Sequence, residues 1–94
     1  MTSARICFLG NRIYYNHYRP MIKIRDDDMY NSCELIFKNQ DSVFSGEEID
    51  VDIIFLIQDN VIDYLYKGKV FLLYEGQTII GHGIIITSHT HCKI

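Results

Sequence analysis

Histidine and cysteine gather near the C-terminus as His89, His91 and Cys92, with His82 shortly before them. Two histidines at i and i+2 share a face of a strand, and with a thiolate they could ligate a metal. A structural zinc site needs four donors and a supporting shell, and these residues follow the last patterned strand. The expectation is therefore a flexible, solvated tail over residues 88–94 and no bound metal. Asp50 and Asp52 would also share a strand face, where paired carboxylates do acid–base chemistry or hold a cation. Carboxylates at that spacing are also the wet side of an amphipathic strand, which is the reading taken here. Asp26 to Asp28 could attract a basic partner or act as a charged loop that blunts a strand edge. No Ser–His–Asp or Cys–His arrangement can be argued from spacing, and no G-x-x-x-x-G-K-[ST] phosphate loop occurs. The expectation is a protein that is not an enzyme and carries no cofactor.

Recognition chemistry is better represented. Arg19, Lys23 and Arg25 form a basic stripe, because strand side chains alternate between faces. Such a stripe could contact phosphate or an acidic protein surface, and Arg19 could equally serve packing through its aliphatic stem. The chain has 7 tyrosines, rings whose polar tips suit interfaces and which can also stack on unpaired bases. Arg19, Lys23, Arg25, Tyr14, Tyr15 and Tyr74 are the candidates for binding a partner or RNA. A formal net charge of -3 argues against a broad field for nucleic acid and favours a protein partner or a small local basic patch.

The elements that must hold these residues are strands. Ninety-four residues make one domain with one core, spanning 1–94. The chain is 48% hydrophobic and 13% aromatic, so it folds rather than remaining disordered. Tyr, Ile, Phe and Val dominate, which favours sheet. Strands are expected over residues 4–9, 18–25, 31–37, 48–57, 69–75 and 78–87. In the fourth, Ile49, Val51, Ile53, Phe55 and Ile57 recur at period two, the pattern of a half-buried strand. Gly10-Asn11 and Ser45-Gly46 read as turns and residues 38–42 as a polar loop. Residues 58–66 read as one helical turn or an irregular loop. Six strands with short connections give an all-β, antiparallel barrel or sandwich. No apolar run approaches the roughly 20 residues that a membrane helix needs. Three cysteines without a C-x-x-C pair or a signal-peptide pattern read as free thiols of a cytoplasmic protein.

The run HYRPMIKIRDDD and the later run YEGQTIIGHGIII together resemble the C-terminal, third β-barrel domain of elongation factor Tu. That family carries a Y-R-P strand early in the domain and a closing E-G-x-x-x-x-G-x-G strand. The matching positions here are Tyr18, Arg19 and Pro20, then Arg25, Asp28, Glu34, Leu35, Gly46, Phe71, Glu75, Gly76, Gly81 and Gly83. Tyr14 and Tyr15 match an aromatic pair that precedes Y-R-P. The similarity spans residues 4–87 and implies a free-standing antiparallel barrel of six to seven strands. Met1 and the untidy tail suggest a complete gene product rather than an excised domain.

The departures bear on function. In the family this domain helps hold the T-stem of aminoacyl-tRNA and packs on the GTPase domain. The basic, glycine-rich loop after the first strand is shortened here to residues 10–16. Met21 stands in place of a glutamine, Tyr74 and Thr78 in place of arginines, and Gln77 in place of a glycine. A few extra residues lie between Ile57 and Gly68. Each lost arginine removes a phosphate contact and its counterion release. The resemblance therefore implies a binding protein for a protein partner, such as an inhibitor or immunity protein against a toxin acting on tRNA or elongation factor Tu. A tRNA-binding accessory domain is the alternative, and self-association through strand edges is a third reading.

Overall fold

The computed structural model describes residues 1–88. The expected tail ligands His89, His91 and Cys92 lie outside them. The chain forms β1 (Thr2–Phe8), β2 (Ile13–Tyr15), β3 (Met21–Lys23), β4 (Asn31–Phe37), β5 (Ser42–Phe44), β6 (Glu48–Phe55), β7 (Val70–Glu75) and β8 (Thr78–Ser88). Two short 3-10 turns, Gln58–Asn60 and Ile62–Tyr64, lie between β6 and β7. Six strands close an antiparallel barrel in the order β1-β6-β4-β3-β7-β8, with β8 pairing back to β1. β2 and β5 form a separate two-stranded ribbon.

Alternation in the sequence becomes burial in the barrel. Ile49, Val51, Ile53 and Phe55 of β6 point inward, while Asp50 and Asp52 point out. Each outward carboxylate meets a cation from a neighbouring segment: Asp50 pairs with Arg5 at 2.8 Å and Asp52 with Lys38 at 3.3 Å. The two carboxylates thus form the wet face expected of them. β6 ends at Phe55 rather than running to Ile57, whose side chain is exposed. Ser88, expected in the tail, instead sits in β8 opposite Thr2.

The glycines of β8 explain how the barrel closes so tightly. Gly83 lies opposite Ile6 on β1 and Phe71 on β7, and these side chains fill the space a side chain at Gly83 would need. The turns after β5 and β7 use Gly46 (φ +95) and Gly76 (φ +62), a backbone region open to glycine.

The segment that precedes β3 differs from expectation in two ways. Residues 10–16 hold strand β2, which meets β5 at the end of the expected polar loop. Three-residue strands are too short to leave a periodic signature, but their inward residues Tyr14 and Val43 are buried in the core. The expected strand over residues 18–25 is regular only at Met21–Lys23. Pro20 has no N–H to give to a ladder, yet its carbonyl still accepts from the Cys33 N–H at 3.3 Å. Asn16 anchors this stretch, its Oδ1 accepting from the backbone N–H groups of His17 and Phe37. Ile22 and Ile24 are buried as their alternation requires. The 58–66 segment is the pair of 3-10 turns, held by buried Val61 and Leu65.

Candidate functional site

On the outer wall, side chains of successive strands line up by register. Met21 of β3 stands opposite Ser32 of β4 on one side and Tyr74 of β7 on the other. Tyr74 in turn faces Ile79 of β8. Beyond Ser32, whose carbonyl accepts from the Leu56 N–H at 3.1 Å, lies Leu56, just past the end of β6. One outward row therefore runs Leu56, Ser32, Met21, Tyr74, Ile79, and it is apolar or aromatic everywhere except at Ser32. Leu56 is 76% exposed and Ile79 43%. Met29 and Tyr30, just before β4, are exposed as well. The Tyr30 ring meets Tyr74 edge-on, with centroids 4.9 Å apart and planes at 85°. A depression of about 510 Å³ beside them is lined by Met21, Tyr30, Gly76 and Gln77.

Two of the six candidate residues flank this row. Arg19 and Lys23 lie two positions to either side of Met21 on the same outward face. Arg19 is loosely held, its Nη2 3.6 Å from the Glu34 carboxylate with a side chain 76% exposed. Glu34 is more closely engaged by His17, whose Nδ1 is 2.7 Å away. Lys23 lies opposite Leu72 and close enough to Tyr74 to oppose the rise of its phenol pKa. That rise comes chiefly from desolvation, with a hydrogen-bonding contact to Tyr30 adding to it.

The remaining candidates are placed elsewhere. Arg25 lines a cleft of about 300 Å³ with Lys23, Lys69 and His82. Its guanidinium is already occupied, forking onto Asp27 at 2.7 and 3.1 Å and donating to the Asn60 carbonyl at 2.7 Å. This grip holds the Asp27 carboxyl below its usual range. Lys69 is similarly bound to Asp26 at 2.6 Å. Asp26 and Asp27 thus turn back onto the barrel's own cations, so the acidic loop serves as a clasp. Tyr15 is exposed on the β2–β5 ribbon, beside Ile13 and Phe44 and apart from the row.

Tyr14 is a correction to the sequence reading. It is 2% exposed, stacked on Phe8 at 3.9 Å, and its hydroxyl donates to the Leu9 carbonyl at 3.2 Å. Arg12 covers it from outside, 4.2 Å above the ring, and pairs with Glu75 at 3.0 Å. The ring is a core element, and no partner can stack on it. Tyr18 completes this aromatic end, edge-on to Tyr14 at 5.4 Å. Among the described residues its buried hydroxyl meets no partner in good hydrogen-bonding geometry, and burial pushes its pKa up to about 12, with the nearby Glu75 carboxylate adding to the rise.

Most of the basic side chains are paired within the barrel. Arg5, Arg12, Arg19, Arg25, Lys38 and Lys69 each stand within 4.0 Å of a carboxylate. Among the described residues, Lys23 and Lys67 are the cations outside any ion pair. The three members of the expected basic stripe are therefore unequal: Lys23 is available, Arg19 is lightly engaged and Arg25 is committed. Met21, Tyr30, Leu56 and Ile79 were not among the sequence-derived candidates, because cross-strand register is what joins them. Among the described residues no group of three or more His, Cys, Asp and Glu side chains is arranged to hold a metal ion. No known protein family matches the chain, and no curated protein matches it in sequence.

Proposed function

We propose that this barrel is a non-enzymatic binding module that engages a protein partner through the outward row centred on Met21 and Tyr74. The observation that carries this reading is the row itself: apolar and aromatic side chains in register across β6, β4, β3, β7 and β8, beside a depression. Aromatic and methionine side chains are enriched at the centre of protein interfaces. Its resemblance to the third domain of elongation factor Tu supports a finer form of the proposal. The module would compete with that domain for a shared partner, as an inhibitor or immunity protein against a toxin acting on tRNA or on the factor.

The test is affinity capture with the tagged protein from its own cell extract, run in parallel with Tyr74→Ser. A partner held by the wild type and lost by the variant supports the surface. Equal recovery by both removes the row from the proposal, and recovery of nothing by the wild type removes the module reading.

One observation favours the tRNA-binding alternative: Lys23, Arg25, Lys69 and His82 share a cleft. Two of those cations are already neutralised by Asp26 and Asp27, which weakens it. Fluorescence anisotropy with bulk tRNA at two salt concentrations decides. Salt-sensitive binding that is lost in Lys23→Glu would put RNA ahead of a protein partner.

A further inference from the structure

On the premise that the row around Met21 and Tyr74 is a docking face, we infer that its partner is a distinct protein presenting a large apolar side chain bordered by carboxylates. The charge around the row selects this chemistry. Arg19 and Lys23 bracket Met21 along the strand, and Arg19 is 76% exposed at its side chain. Lys23 belongs to no ion pair among the described residues, although the chain as a whole is acidic, with a net charge of -3. The carboxylate beside Arg19, Glu34, is only 23% exposed and is already gripped by His17. The face is thus an apolar row with one cation on each side of its centre, set on a barrel whose net charge is acidic. Complementarity across an interface requires the reverse pattern on the partner.

The same arrangement argues against a second copy of this chain. A two-fold dimer pairs the same patch with itself. Centred on Met21 with the two β3 strands aligned, it would set Arg19 and Lys23 of one copy against the same two cations of the other. Like charges held together at a closed interface are unfavourable.

Selection of phage-displayed random peptides on the immobilised full-length protein tests the inference, followed by Kd measurements for the enriched peptides. The expected winners combine an aromatic or long aliphatic residue with neighbouring Asp or Glu. Their binding should weaken about tenfold in Lys23→Glu, the scale of losing one favourable charge pair at an interface. It should weaken further as salt is raised and vanish in Tyr74→Ser, with unchanged melting curves showing that both variants fold. Enriched peptides without acidic residues, or peptides insensitive to Lys23→Glu, overturn the acidic partner while leaving the docking face in place. A failure to enrich any peptide that depends on Tyr74 overturns the inference and the docking face together. A concentration-dependent dimer in sedimentation that Tyr74→Ser dissolves overturns the distinct partner in favour of a second copy.

Discussion

The Phe71 ring occupies the place where Gly83 would carry a Cβ: an added methyl there would fall 2.5 Å from the Phe71 Cζ and 2.7 Å from the Ile6 Cγ2. Two strands and a barrel closure depend on that bare position. Gly83→Ala should destabilise the fold by about 1–3 kcal/mol, the range for overpacking a filled core, as read from urea unfolding. Phe71→Leu in the same chain should recover part of the loss, because the shorter side chain vacates the contact. Gly81→Ala meets its nearest atoms at 3.1 and 3.3 Å and should cost less. Equal effects at the two glycines would contradict the assignment of Gly83 as the closing contact.

Tyr18 should contribute to the alkaline behaviour of the barrel, beside the buried Cys33 thiol, which is also raised to about 12. Its phenol is raised from 10.0 to about 12, so the native state favours the protonated form. The stability tied to it is fully present below pH 10 and declines as pH rises towards 12. Tyr18→Phe should shrink that decline, leaving the share that belongs to Cys33, and should leave neutral-pH stability within about 1 kcal/mol, the scale of one modest hydrogen-bonding contact. Denaturation curves for both proteins at pH values spanning that window check this. Parallel declines would assign the effect to another group.

Cys33 should be chemically silent in the folded protein. It is 4% exposed, and burial pushes its thiol up to about 12, so little thiolate exists at neutral pH. In a Cys92→Ser background, a thiol reagent should label Cys7 readily and Cys33 at the rate of unfolding. Simultaneous labelling of both in native protein would refute the burial argument.

Arg25 should behave as a structural clasp rather than a contact residue. Arg25→Gln should speed amide exchange across residues 26–29, whose loop it pins through Asp27, and should leave partner capture unchanged. Loss of capture in this variant, with the row intact, would return Arg25 to the binding surface.

The strands were legible in the sequence because the long ones alternate cleanly, as Ile49 to Phe55 show, but alternation left a barrel or a sandwich open, and the resemblance is what favoured the barrel that the structure has. The β2–β5 ribbon was not, since three residues cannot display a period and Tyr14 reads as an interface tyrosine until its stacking on Phe8 is known. Lys23 was recognisable as a surface cation from alternation alone. The pairing of Arg25 with Asp27 was hidden because opposite charges two residues apart look the same in sequence whether they meet or diverge. The row through Met21 and Tyr74 depends on which strands are neighbours and in what register, and a single chain of letters does not carry that information.

The pairing of β8 with β1 also orders events in time. The first strand cannot obtain its second neighbour until the last one exists, so a growing chain holds β1 and β7 as open edges until β8 has left the ribosome. Contacts between the two ends of a chain form slowly, and open strand edges recruit other chains. A chain that stops before β8 is therefore a template for aggregation rather than a smaller barrel, and chaperones that shield strand edges have the most to do until β8 emerges.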